Sequence, residues 1–124
     1  MSSIEPTPRQ LGALSELPGD APVVMINLLL FEKPDGAASY ARYSEAVIEH
    51  LRRVGGEVVY AGAALQQVIG EGDAPWWDTI IAVRYPSPQA FLEMVADPGY
   101  QTIHAHRADA LERAELIATA PALG

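Results

Sequence analysis

Cysteine is absent from this chain of 124 residues. That removes disulfides, thiolate metal ligands and a cysteine nucleophile, although it identifies no compartment. Basic residues are scarce: eight Lys and Arg stand against 16 Asp and Glu, for a formal net charge of −8. Like charge raises the cost of approaching nucleic acid or an anionic membrane surface, and the few cations are too scattered to form a patch. Neither is expected as a partner. No apolar run approaches the roughly 20 residues that span a bilayer. The opening Met1-Ser2-Ser3-Ile4-Glu5-Pro6 lacks a basic stretch followed by an apolar one, so a cytoplasmic location is expected rather than secretion by a signal peptide. A glycine-rich phosphate loop, a G-x-S-x-G elbow and an H-E-x-x-H pair are also missing. Nucleotide binding and the common hydrolase and metalloprotease chemistries therefore have no support.

What is present is globular. Hydrophobic content of 49 % with 19 % charged residues is ordinary for a folded domain, and the length suits one core. The most informative stretch is Val23 to Phe31, V-V-M-I-N-L-L-L-F. Strand side chains alternate between two faces, so a half-solvated strand alternates apolar with polar. Here Met25, Leu29 and Phe31 share a face with Asn27, and Val24, Ile26, Leu28 and Leu30 take the other. Both faces need cover. The chain has material to cover one with its own helices, which leaves the second for a partner subunit.

The rest of the order follows from caps and periodicity. Residues 1–6 read as a loose lead-in. Thr7, Pro8 and Gln10 start a short helix carrying Leu11, Leu14 and Leu17, which stops before Pro18-Gly19-Asp20. A helix over 37–54 shows Tyr40, Tyr43, Val47, Leu51 and Val54 in one stripe and ends at Gly55-Gly56. Residues 57–70 read as a long strand, with Gly62 a bulge or a point of close approach. The 71–75 loop turns into a strand over 76–85, which forms a hairpin with it. Ser87-Pro88 and Asp97-Pro98 open two short helices, through about Val95 and Arg107, and a last strand runs over 114–119. Residues 1–20 are then a lead-in with a short helix, and 21–124 a single domain. The expected fold is α+β: a ferredoxin-like split βαβ with a four-stranded antiparallel sheet and helices on one face. An isologous homodimer through the open sheet face gives a dimeric α+β barrel.

Several stretches together carry a family likeness: P-V-V-M-I-N-L-L-L-F, Y-A-R-Y-S-E-A-V, V-G-G-E-V-V-Y-A-G, W-W-D, V-R-Y-P-S, F-L-E-M-V-A-D-P-G-Y-Q and H-R-A-D-A-L-E-R. From about Thr7 to Pro121 the chain resembles the uncharacterised bacterial domain of unknown function 1330 family, of the dimeric α+β barrel superfamily. The segment between Phe31 and Tyr40 is shorter than in many members, which bears on a pocket rim. The resemblance implies the fold. Barrel relatives include cofactor-independent monooxygenases, polyketide cyclases, muconolactone isomerase-like proteins and haem enzymes, so it leaves the chemistry open.

Candidate site residues follow. Asn27, buried among aliphatics, either satisfies neighbouring backbone or hydrogen-bonds a ligand between sheet and helices. Tyr43 is central to the buried helix stripe and is the tyrosine best placed to line a pocket, against an ordinary packing role. In Trp76-Trp77-Asp78, strand alternation sends the indoles to opposite faces, which makes Trp77 a ligand-contact candidate. Asp78 beside aromatics is a candidate acid or base, or else pairs with a cation. His104 and Arg107 share a helix face, whereas His106 is rotated about 200° from His104, so the histidines cannot chelate one metal. His106-Arg107 fits the histidine–arginine pair that the resemblance implies, which makes His106 the general-base candidate and Arg107 a ligand-binding one. His50, near a helix C-terminus, reads as structural. No metal or cofactor is expected; haem would need a histidine projecting into the pocket. The expected protein is a homodimer with a small-molecule pocket. It is either a cofactor-independent enzyme for a small organic acid, lactone or aromatic, or a non-catalytic ligand-binding or stress-associated protein.

Overall fold

In the computed structural model, which describes residues 5–72 and 74–122, strand β1 (Val23–Phe31) buries alternate side chains. Val23, Met25, Asn27 and Leu29 are buried, while Val24, Ile26, Leu28 and Leu30 remain partly exposed. The buried set faces helices α2 (Gly36–Val54), α3 (Pro88–Ala96) and α4 (Pro98–Ala110), and Met25, Leu29, Tyr40, Tyr43, Met94 and Tyr100 belong to one core. Strands β2 (Glu57–Ala63), β3 (Thr79–Tyr85) and β4 (Leu111–Thr119) complete a sheet of order β2-β3-β1-β4. Every neighbouring pair is antiparallel. β1 and β2 thus run in the same direction with β3 between them, the split βαβ arrangement. Right-handed crossovers put the helices on one face and leave the other open. That open face carries Leu28 level with Ile80 and Glu115, and Ile26 level with Ala82 and Ile117.

Local signals account for the helix ends. Helix α1 (Pro8–Ser15) has the full capping box between Thr7 and Gln10, yet buries none of its side chains. α2 ends at Gly55 with φ 80°, a left-handed conformation that glycine adopts without a Cβ clash, and the Gly56 N–H donates to the Leu51 carbonyl at 2.7 Å. Ser87 and Asp97 cap α3 and α4 through the N–H groups of Ala90 and Tyr100. No described helix is long and apolar enough to cross a membrane.

Several boundaries differ from the sequence expectation, beginning with α1, which ends at Ser15 and leaves the exposed Leu17 outside it. The strand read over 57–70 stops at Ala63, because its partner begins only at Thr79 and Ala63 pairs with that residue. Beyond it Leu65, Val68 and Ile69 are 95 %, 87 % and 91 % exposed. The strand read over 76–85 likewise starts at Thr79, so Trp76 and Trp77 precede it and do not alternate across a sheet. The pairing irregularity lies between Val58 and Tyr60, not at Gly62, where an added Cβ would meet only the far end of the exposed Tyr60 side chain. Finally, α4 continues to Ala110 and passes straight into β4 at Leu111, where the sequence suggests a break between 107 and 114. The Ala110 carbonyl accepts the Glu32 N–H at 2.8 Å and Leu111 pairs with Phe31, so strand pairing begins where the helix stops. Residues 1–4 of the expected lead-in, Asp73 of the 71–75 loop and the last two residues of the 21–124 domain lie outside the described residues.

Candidate functional site

Between the sheet and the helices lies a cavity of about 500 Å³. Its floor includes Met25 and Asn27 from β1 and Ile81 from β3, and its wall includes Tyr43 from α2. The floor is set by strand register: Asn27 is level with Ile81 on one side and Leu116 on the other, so these side chains point to the helix face together. α4 brings Tyr100, His104 and Arg107 to the same space. Their spacing of four and three residues is that of one helical stripe. A second cavity of about 540 Å³ runs along β4 and shares Met25, Phe91, Arg107 and Leu116 with the first. The N-terminal segment around Glu5 and Leu11 lines both.

The polar groups are tied together. Asn27 Nδ2 donates to the Ile81 carbonyl at 3.2 Å and to the Met25 carbonyl at 3.5 Å. Among the described residues no fully buried side-chain nitrogen or oxygen lacks a partner. The Tyr43 and Tyr100 hydroxyls lie 2.8 Å apart. Tyr100 Oη is 3.5 Å from His104 Nδ1, and His104 Nε2 is 2.9 Å from Glu5 Oε1. Burial pushes the hydroxyls of Tyr43, Tyr40 and Tyr100 above the ordinary phenol range, Tyr43 well above it. The nearby Arg107 guanidinium opposes that shift at each of them. The tyrosines are therefore neutral hydroxyls that can donate and accept.

Asn27, Tyr43 and Arg107, three of the residues singled out from sequence, meet at this cavity, and three others do not. His106 is exposed on the opposite side of α4. The rotation that separates it from His104 on a helix turns it outward once His104 faces in. Asp78 sits just ahead of β3, beside the end of β1, where its carboxylate pairs with Lys33 Nζ at 2.7 Å and accepts the Phe31 N–H at 3.0 Å. The Lys33 hydrogen bond chiefly lowers its pKa, against a smaller effect of desolvation, the reverse of the upward shift an apolar setting gives. Trp77 stacks edge-on against Trp76 with ring centres 5.0 Å apart, and the Arg113 guanidinium lies 4.2 Å over Trp76. His50 joins Arg53 and Asp97 where the end of α2 meets the start of α4. Among the described residues no three His, Asp or Glu converge as metal ligands.

His104, Tyr100 and Glu5 also reach the cavity, though no motif in the sequence marks them. The 100–104–107 spacing was a usable signal for the first two. Glu5 reaches His104 across 99 residues of chain, and nothing local announces that contact.

With this geometry the chain matches known proteins as follows. The sequence pattern of the family described as a domain of unknown function, DUF1330, matches residues 30–120. A crystal structure of a protein of unknown function from Rhodopseudomonas palustris is 32 % identical, covers 100 % of both chains and superposes with a TM-score of 0.89. A putative antibiotic biosynthesis monooxygenase from Bacteroides thetaiotaomicron is 19 % identical over 83 % of this chain and 91 % of its own, with a TM-score of 0.58. An uncharacterised NIPSNAP-like domain protein from Burkholderia xenovorans is 16 % identical over 82 % of this chain and 86 % of its own, at 0.53. The last two likenesses are of fold alone. No curated protein matches the chain.

Proposed function

Because the chain belongs to the DUF1330 family, we propose that it is a homodimeric small-molecule-binding α+β barrel protein of the cytoplasm. Its role in this proposal is that of a cofactor-independent enzyme acting on a small organic acid, lactone or aromatic. The observation that carries the proposal is the cavity of about 500 Å³, mostly aliphatic and aromatic, with Asn27, Tyr43, Tyr100, His104 and Arg107 gathered on it. An apolar space with a few convergent polar groups is the usual form of a small-molecule site. With its Nδ2 held by backbone carbonyls, Asn27 offers Oδ1 to a ligand, and Tyr43 offers its hydroxyl. Arg107 supplies positive charge in surroundings of low polarity, where charge acts strongly. Proton transfer to or from the ligand belongs to groups on the cavity, not to Asp78 or His106.

The homodimer is supported by the open sheet face. Val24, Ile26, Leu28, Leu30, Ile80 and Ile117 form an apolar surface that water covers poorly. Two copies facing one another would bury it.

Mass spectrometry of small molecules released from the purified protein tests the ligand. A defined small organic acid, lactone or aromatic is expected, whose re-addition raises Tm. Tyr43→Phe should weaken its binding by about tenfold, the effect of one lost hydrogen bond. If no compound of these classes is recovered and none in a broad panel moves Tm, the proposal fails. Turnover of the recovered compound separates an enzyme from a binding or stress-associated protein with the same cavity.

A further inference from the structure

Tyr43 of α2, Tyr100 and His104 of α4, and Glu5 of the N-terminal segment form a hydrogen-bonded line along the cavity wall, from buried Tyr43 to Glu5 at its exposed rim. Its outer end sets the direction in which the protons point. An ionised carboxylate can only accept, so Glu5 requires a proton on His104 Nε2. A neutral imidazole carries one proton, which leaves Nδ1 an acceptor and makes Tyr100 the donor to it. With its proton directed outward, Tyr100 accepts from Tyr43 at 2.8 Å. Tyr43 has then spent its own proton on Tyr100 and meets the cavity with oxygen lone pairs. The line ends at the ligand as an acceptor.

We propose that Tyr43, Tyr100 and His104 carry a proton along the cavity wall to its rim from a ligand bearing an acidic hydroxyl, a phenol or an enol. This rests on the cavity being a ligand site. In the step, the ligand O–H bond breaks and its electron pair stays on the ligand oxygen. The proton passes to Tyr43 Oη, the Tyr43 proton to Tyr100 Oη, and the Tyr100 proton to His104 Nδ1. The products are a ligand oxyanion and a His104 imidazolium, with both tyrosines restored and no electrons exchanged. Burial of Tyr43 and Tyr100 disfavours a lasting tyrosinate, so the charge resides at the two ends of the line. The charged and titratable groups around His104 divide by effect. Glu5 lies 2.9 Å from His104 Nε2, where it pairs with the proton delivered; Arg107 lies on the cavity, where it stabilises the ligand oxyanion; burial keeps Tyr40, Tyr43 and Tyr100 neutral. The step from Tyr100 to His104, at 3.5 Å, is the longest in the line. A carboxylate ligand does not suit it, because an ionised acid at neutral pH would set acceptor against acceptor.

Two probes test the line: 4-nitrophenol, which is coloured when ionised, and its methyl ether, which cannot ionise. At one pH unit below the free phenol's pKa, about a tenth of it is ionised in solution. Bound to the wild-type protein, more than half should be ionised, a shift of at least about one unit. In His104→Gln and Tyr100→Phe the phenol that still binds should return to its solution ionisation, with any loss of affinity read separately from the ether, while Glu5→Gln gives a smaller shift. A phenol that binds but ionises as it does in solution overturns the line and leaves the cavity reading standing. So does an unchanged shift in both His104→Gln and Tyr100→Phe, which would assign the effect to Arg107. If neither probe binds the wild type, the proton line for phenols falls, and the broad panel described above decides the cavity reading.

Discussion

Gly36 opens α2 so close to its surroundings that an added methyl group would meet the Ala110 carbonyl and the Phe31 side chain. Backbone at one side of the clash leaves little room to yield, so Gly36→Ala should cost about 1–3 kcal/mol. The urea midpoint at unchanged m-value measures it. Asp78 gives a pH-dependent counterpart. Its folded pKa lies below the unfolded value near about 4, so its ion pair stabilises the fold above that value. The contribution is lost as pH falls through the lower folded pKa. Asp78→Asn should therefore flatten the decline in stability below about pH 4 and leave the shape of the curve at pH 6–8 unchanged. Urea midpoints across pH 2.5–7 would show it, and an acid limb as steep as wild type would contradict it. Single residues were legible in sequence where burial and periodicity coincide. Asn27 and Tyr43 sit on the buried faces of a strand and a helix, and both reach the cavity. His104 was legible in the same way, by its alignment with Tyr100 and Arg107, but a two-residue motif drew attention to His106 instead.

Elements behave differently, because a strand needs a neighbour as well as a suitable sequence. β1 and α2 were readable throughout, since their own pattern specifies both ends. The far ends of the β2–β3 hairpin were not. Leu65, Val68, Ile69, Trp76 and Trp77 have the composition of strand residues, yet ladder pairing ends at Ala63 with Thr79 and the segment between is looped. Sequence records propensity there but not the availability of a hydrogen-bonding partner. α1 shows how local an element's stability can be. It has a complete capping box and no buried side chain. Thr7→Ala should cost about 1 kcal/mol within that helix, raising amide hydrogen exchange of residues 11–15 roughly fivefold, while the global urea midpoint stays put. A shift of the global midpoint would mean that α1 unfolds only with the sheet.

For the whole molecule, the fold leaves one side of the sheet uncovered, apolar along β1 and flanked by Arg84, Arg113 and Glu115, and the proposed homodimer covers it. A stable pair should bury well over roughly 1,000 Å² in total. Light scattering at micromolar concentration is expected to give twice the mass of the chain, and a monomer would remove the dimer. Leu28→Asp, on that open face, should abolish soluble dimer, since an unpaired charge in a covered interface costs several kcal/mol. Retention of dimer mass and Tm by that variant would show that the pairing surface lies elsewhere.

The alternation along β1 has a genetic corollary. Odd positions from Val23 to Leu29 answer to the chain's own interior, and even positions from Val24 to Leu30 answer to whatever meets the outer side. Two sets of selective demands are interleaved in one short stretch of codons, and point substitutions satisfy or violate them separately. The proposed dimer contacts and the proposed ligand preference can therefore drift apart in descendants without trading against each other. Loss or gain of one codon ahead of Asn27 is another matter. It exchanges the two sets along the strand beyond it, turning the amide outward and an aliphatic side chain inward. Descendants of this gene should thus exchange apolar letters within this stretch and hardly change its length at all.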